Sequence, residues 1–487
     1  MDVARAKRGD LWIAGAVAVV VFGLLEASSS AKVSLYLDAF EHAGLLYVAP
    51  LAALAAMYFV LLYPQVPLQL IAFLLPFNFV GGVWGDSLVA LLAKVSMNVL
   101  VAAALLPTVV APAGQRAWLT GTRIGIASLG WLAAIAMGIL IGLMGNPNRN
   151  FWVRESGWMF FFAAALPVGT LLRDRINIDR LLFAICAGVA LLQAYAFWTL
   201  MTGTRYTRID IQGMQAFFRA PYSCVSLFGM YLAAASLLYR ASARTLTWRS
   251  GLLLFAAVAF LAGGLLASMV RSLWICGALG MLLVVFLAPH DRRTRKAVAA
   301  VSGGAILAVT VVAAIDRLSP QSSGDWTGTA IAFLQDLGSK DSTSRVTREV
   351  EWGHALEVWK QSPLVGVGFG YAFPQRGLEQ IPDEVRPEAF FMHNSYLNIL
   401  AKTGIVGLAA FLAFIWSVAR GAHAVLRRPD VDAGDRALAT AIVAAVASVA
   451  LLTSTVPVLT AGDSPAYLGM LAGLTVALQR SARRSAP

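Results

Sequence analysis

Charge is what this sequence has least of. Only 13% of its 487 residues are Asp, Glu, Lys or Arg, about half the share usual in soluble domains. Hydrophobic residues reach 59% and the mean hydropathy is +0.71. A water-soluble multidomain enzyme is excluded, and so is a disordered chain. Cysteine is scarce as well. Cys186, Cys224 and Cys276 lie within or against apolar runs, without CxxC or Cys/His spacing, so neither a disulfide framework nor a zinc site is expected. The 42 glycines have no three-residue period, which excludes a collagen-like chain. No HExxH or GxSxG occurs, and Gly366, Gly368 and Gly370 lack the GK[ST] ending of a phosphate-binding loop. Asp430-Val431-Asp432 resembles a metal-binding DxD, but it falls on the expected cytoplasmic side.

What remains is a chain of long apolar runs with a net charge of +12. A helix needs about 20 apolar residues to cross a bilayer. Candidate spans cover roughly 11–27, 45–63, 66–82, 87–110, 123–144, 157–172, 181–201, 221–239, 251–268, 273–289, 297–315, 404–419, 437–459 and 465–479. The expected fold is therefore an all-α integral membrane protein of about 12–14 transmembrane helices, even in number, with one large periplasmic loop containing short helices. The basic stretch Met1 to Gly9 before the apolar run from Leu11 reads as an uncleaved first helix; a cleaved signal peptide is the rival, without a convincing small-residue site before Glu26.

Alternating the spans from a cytoplasmic N-terminus collects most basic residues on one side: Arg5, Lys7 and Arg8; Arg116 and Arg123; Arg173, Arg175 and Arg180; Arg240, Arg244 and Arg249; Arg292, Arg293, Arg295 and Lys296; Arg420, Arg427, Arg428 and Arg436; Arg480, Arg483 and Arg484. Short basic loops on one side are the positive-inside signature, so both termini are expected in the cytoplasm. No soluble face gathers the basic residues, and no nucleic-acid partner is expected. Three regions follow: an N-terminal bundle over 1–315, a large periplasmic loop over 316–403, and C-terminal spans over 404–487. In the loop, Ser342 to Ser344 can cap a helix carrying Arg345, Arg348, Trp352, Leu356 and Trp359 at helical spacing. Pro363 ends it, a turn-rich glycine stretch follows, and a second helical run begins near His393. Such a loop is too long for a simple connector.

Among the arginines that fall on the outside are Arg149, Arg154, Arg205, Arg208, Arg219, Arg271, Arg345, Arg348, Arg376 and Arg386. Guanidinium forks bind phosphate in bidentate fashion and stay charged, so a lipid-linked diphosphate at the outer interface accounts for them. Pairing with loop acids or lipid headgroups is the plainer account. Arg271 stands out because Ser268–Ser272 is flanked by apolar residues on both sides, and an intramembrane arginine is costly unless paired or functional. His393, before Asn394, Ser395 and Tyr396, is the second signal. Histidine suits proton transfer near neutral pH, although a lone histidine is more often structural. His42, His290, His354 and His423 are less favourably placed. Lys94 lies deep in a span; snorkelling towards Asp86 or Glu26 is the plainer reading.

The stretch Arg345…Trp352-Gly353-His354-Ala355…Pro363-Leu364-Val365-Gly366-Val367-Gly368, then His393-Asn394-Ser395-Tyr396-Leu397…Gly404-Ile405-Val406-Gly407, resembles the shared core of bacterial O-antigen ligases and O-antigen polymerases over about 65 residues. The family's Thr-x-Ser-Arg element corresponds to Ser268-Met269-Val270-Arg271, with the arginine kept and both hydroxyl positions changed. The resemblance implies a metal-independent, inverting glycosyltransferase of the bacterial inner membrane, without a cofactor, working at the periplasmic face. Its donor would be undecaprenyl-diphosphate-linked O-antigen and its acceptor lipid A–core oligosaccharide. His393 would accept the acceptor proton, with Asn394 and Tyr396 as supporting motif residues. Arg271, with Arg208 or Arg219, and Arg345 and Arg154, would hold the diphosphate. An O-antigen polymerase and a protein O-oligosaccharyltransferase would use the same architecture. A lipid or solute transporter is the non-enzyme alternative; it would concentrate charge at the midplane and usually shows internal repeats, and no repeat is evident.

Overall fold

A computed structural model of the chain describes residues 63–74, 100–145, 148–202, 208–217, 224–267, 270–318, 343–376, 392–459 and 464–484, a few positions inside these ranges excepted. The expected span 11–27, the span 45–63 up to residue 62, and residues 75–82 and 87–99 of the next two, with Lys94, lie outside the described residues, as does Arg219.

The described chain is a helical bundle. Its main helices are α1 (Arg123–Gly145), α2 (Arg149–Phe160), α3 (Ala165–Leu171), α4 (Arg175–Thr202), α5 (Val225–Ser242), α6 (Trp248–Ala267), α7 (Arg271–Leu287), α8 (Arg292–Leu318), α9 (Thr343–Gln361), α10 (Ser395–Leu426), α11 (Ala433–Leu452) and α12 (Ser464–Arg484). Six helices among the described residues are long and apolar enough to cross a membrane. The chain is an all-α, multi-pass membrane protein. One feature was not expected: a short antiparallel hairpin joins α4 to α5, with β1 (Arg208–Ile211) paired to β2 (Met214–Phe217) and Arg208 opposite Phe217.

Two expected spans take a different form. The run at 157–172 is α2, a 3₁₀ turn over Phe161–Ala164, and α3. Pro167 has no N–H to give the carbonyl of Ala163, and a tighter turn there accommodates the missing bond. The run at 404–419 begins where expected, at Gly404, but a helical segment from Ser395 leads into it across a kink. Gly404 sits at φ 66°, a left-handed conformation that glycine adopts without steric cost. The bend it makes is sharp. The Tyr396 and Phe411 rings lie 6.1 Å apart, whereas residues that far apart in a straight helix would be separated by about 22 Å along the axis.

The core explains why the bundle holds. Trp131 of α1 packs on Phe162 at 5.4 Å and on Phe411 at 5.1 Å, and Phe162 meets Phe414 at 5.8 Å. Helix α12 is buried from Ser464 to Leu478. Three helices share buried hydroxyls. Tyr231 of α5 donates to the Cys276 carbonyl of α7 (2.9 Å) and lies 2.8 Å from Ser448 Oγ of α11. Lower down, Tyr239 donates to the Leu287 carbonyl (2.9 Å) and accepts from Thr440 (3.1 Å). In hydrocarbon such groups need internal partners. These two rungs also set direction: α5 and α7 run parallel, and α11 runs against them.

Candidate active site

The rungs place several of the sequence candidates at one end of the bundle. Arg271 opens α7 five residues before Cys276, and Thr453 follows α11 five residues after Ser448, so both lie about 7.5 Å beyond the shared rung. The Thr453 carbonyl accepts from the Ser395 N–H at 2.8 Å, which brings the start of α10, and His393 two residues earlier, to that same end. Helix α5 begins there too, so the hairpin that carries Arg208 between α4 and α5 is at this end. Arg345 lies in the first turns of α9, on the helix that reaches His393. Arg154 is a half-buried residue of α2.

His393 is held from every side of its backbone. Asn394 caps α10, its side-chain oxygen accepting from the N–H groups of Tyr396 (3.0 Å) and Leu397 (3.1 Å). Ser395 Oγ donates to the Val456 carbonyl (3.1 Å) and the Tyr396 hydroxyl to the Ala450 carbonyl (2.7 Å). Met392 is buried with Ala355, Val358, Phe373 and Ala401. Asn394 and Tyr396 therefore act through the backbone, as a cap and as a tie to α11.

Glu351 of α9, not singled out from the sequence, is the acid beside His393. Its Oε2 accepts from the His393 backbone N–H at 2.9 Å, and its Oε1 lies 3.0 Å from His393 Nδ1. The carboxylate side chain is 5% exposed and the imidazole 36%. A second buried group also escaped the sequence reading. Lys402 and Glu155 form an ion pair at 2.9 Å with both side chains fully buried. Glu155 also accepts from the Gly370 N–H (2.6 Å) and from Asn398 (3.3 Å). Lys402 also donates to the Tyr371 carbonyl (2.8 Å) and lies over the Phe373 ring at 4.8 Å.

This ion pair anchors the glycine stretch expected to be turn-rich. Gly366, Gly368 and Gly370 all have positive φ. The Val367 and Gly368 N–H groups donate to the Ala401 and Lys402 carbonyls, and the Ile405 and Val406 N–H groups donate to the Pro363 and Leu364 carbonyls. The loop thus supplies the partners that the break at Gly404 removes from α10, which a break inside a membrane bundle requires. Phe369 donates to the Gly138 carbonyl of α1 at 3.0 Å, and a Cβ on Gly142 would meet the Phe369 carbonyl oxygen at 2.1 Å.

Asp430 is paired with Arg428 at 2.7 Å, and Asp432 caps α11 through the Asp435 N–H at 2.8 Å. Both carboxylates of the DxD-like triplet thus have structural duties. Among the described residues, no group of three or more His, Cys, Asp or Glu side chains is placed to hold a metal ion.

The fold and this geometry define a multi-pass helical membrane protein with a histidine–carboxylate pair at one end. Residues 256–412, about a third of the chain, match the family model described as O-antigen ligase. The segment contains Arg271, Arg345, Glu351, His393, Asn394, Tyr396 and Lys402; Arg154, Glu155, Arg208 and Arg219 lie outside it. Proteins of this family are glycosyltransferase-like enzymes of O-antigen assembly. The chain matches no curated protein.

Proposed function

We propose that the chain is an O-antigen ligase that transfers a glycan from undecaprenyl diphosphate to lipid A–core oligosaccharide at the periplasmic face of the bacterial inner membrane. The observation that carries this reading is His393, paired through Nδ1 with a buried carboxylate and set at the end of the bundle where Arg271 opens α7. An acceptor hydroxyl gives its proton to His393 Nε2 as its oxygen attacks the anomeric carbon. The bond from that carbon to the phosphate oxygen breaks, and the diphosphate departs on its lipid. A single displacement inverts the configuration. The leaving diphosphate gains negative charge, which preorganised guanidinium groups stabilise. Arg271, with Arg208 or Arg219, and Arg345 and Arg154, are the candidates. Guanidinium charge can fill the role that a divalent ion fills in other glycosyltransferases, so this step needs neither metal nor cofactor.

In this reading both termini are cytoplasmic and residues 316–403 face the periplasm, between an N-terminal bundle and the C-terminal spans. Reporter tags at Arg293 and at Gln375 should then report opposite compartments, cytoplasm and periplasm; a cytoplasmic signal from 375 removes the site from its substrates. The activity is tested by incubating purified protein with lipid-linked glycan and lipid A–core. Glycosylated lipid A–core is the expected product. Longer lipid-linked chains with lipid A–core untouched would make the protein a polymerase, and consumption of a protein acceptor alone an oligosaccharyltransferase.

A further inference from the structure

One carboxylate meets both the backbone and the ring of one residue, and Nδ1 lies within reach of both its oxygens, 3.0 Å from Oε1 and 3.2 Å from Oε2. Glu351 accepts from the His393 backbone N–H through Oε2 and meets the His393 ring at Nδ1 through Oε1, at 2.9 and 3.0 Å. A tether between α9 and the start of α10 needs only the first. The backbone on either side of His393 is already fixed, by the packing of Met392, the Asn394 cap and the Ser395 bonds to Thr453 and Val456. The contact to the ring adds something the backbone contacts cannot, which is control of imidazole rotation and protonation.

We infer that Glu351 is a positioning residue that fixes the ring orientation and tautomer of His393 for proton transfer. The proposal rests on the transfer reading given above. A carboxylate only accepts hydrogen bonds, so the ring nitrogen it faces must carry the proton. Nδ1–H donates to Oε1, and the imidazole lone pair resides on Nε2, the nitrogen that receives the acceptor proton. Once Nε2 is protonated, the ring is an imidazolium lying against a buried negative charge, which stabilises it as the acceptor oxygen attacks. The division of exposure fits these roles: the carboxylate sits behind the ring in the protein, while the ring is the partly exposed member. The arrangement needs a helix from the long loop to reach the start of α10, which gives α9 a purpose beyond connection.

Glu351→Gln separates orientation from tethering. With the amide oxygen kept on the His393 backbone N–H, the amide nitrogen takes the place of Oε1, the nearer of the two atoms to Nδ1, and by donating there favours the proton on Nε2, the wrong tautomer for a base. We expect kcat to fall on the order of 10²–10⁴-fold, the scale of lost general-base help, with KM for donor and acceptor and the thermal unfolding midpoint close to wild type. Wild-type kcat in Glu351→Gln alongside an inactive His393→Ala would overturn the inference while leaving the transfer reading intact. Full activity in His393→Ala would instead remove the transfer reading, and the inference with it. Should Glu351→Gln fail to accumulate, ¹⁵N-histidine spectra of the wild-type protein decide, with the His393 signal identified by its loss in His393→Ala. A ring protonated at Nδ1 supports the assignment, and one protonated at Nε2 overturns it.

Discussion

The two ends of this bundle handle charge in opposite ways. At the end with His393, two buried carboxylates join distant parts of the chain: Glu351 to His393 across 42 residues, Glu155 to Lys402 across 247, beside one exposed pair, Arg376 with Glu357. At the end with Arg428, most acids are satisfied by near neighbours in sequence and close to the surface. Arg428 holds Asp430, Arg175 holds Asp179, and Asp291 and Asp432 cap the helices that follow them; Arg175 also reaches Asp435. Burying charge without local partners is costly, and it is kept where exact placement of a loop or a reacting group depends on it. Local pairs at a surface set helix ends and orientation in the membrane, and individually contribute little. The contrast predicts which substitutions will be severe.

The largest effect is expected at His393. His393→Ala should lose about 10²–10⁴-fold in transfer rate while still binding lipid-linked donor, measured by turnover and by donor pull-down on the same preparation. Retained activity in His393→Gln, with the acid limb of the wild-type pH profile intact, would leave the residue an orienting role only.

Next comes the buried pair that anchors the loop. Lys402→Met alone leaves Glu155 charged and unpaired, and should cost about 3–5 kcal/mol, read as a loss of thermal stability in detergent. Replacing Glu155 by Leu as well should recover much of that loss, because an apolar pair of similar volume carries no desolvation penalty. A single variant as stable as wild type would mean the pair anchors nothing.

Arg271→Ala should lower transfer on the order of 10²–10³-fold, and Arg271→Lys should restore part of it, since an ammonium is a point charge without the guanidinium fork. Normal turnover in well-expressed Arg271→Ala would move the diphosphate to the other arginines.

The smallest effect lies at the opposite end. The Ser242 hydroxyl, with help from the Thr294 N–H, pulls the Asp291 carboxyl down to about 2, below the ordinary value of about 3.9. A carboxyl lowered by folding stabilises the fold above its unfolded titration, and that contribution fades as pH falls from about 4 towards 2. Ser242→Ala should therefore be slightly less stable than wild type near neutral pH, and the gap should close over that acid range. A gap that persists at pH 2 would assign the difference to packing.

The sequence reading followed the same division. Most of the described spans, the basic clusters between them and the start of an apolar run at Gly404 were legible, because hydropathy and charge are read along the chain; the caps at Asn394 and Asp432 and the bend at Gly404 were not singled out. His393 was legible through its motif, as was Arg271 through its apolar surroundings. Glu351 could have been suspected only as the acid in the loop helix beside Trp352. Lys402 stands just before an apolar run and Glu155 beside Arg154, and nothing local to either position shows that the two meet.

By itself, then, the sequence determined that this is an all-α membrane protein with its positive charge gathered at one end, because about twenty apolar residues in a row have one stable form in lipid. It also determined the local punctuation of its helices, and through the motif around His393 its resemblance to the O-antigen ligases. The tertiary structure alone decided that the glycine loop repairs the broken helix at Gly404, that Glu155 and Lys402 meet, and that Glu351 faces His393. Each of these joins residues from separate elements, and which side chains meet depends on how the helices pack and where the chain turns back, which no local pattern encodes.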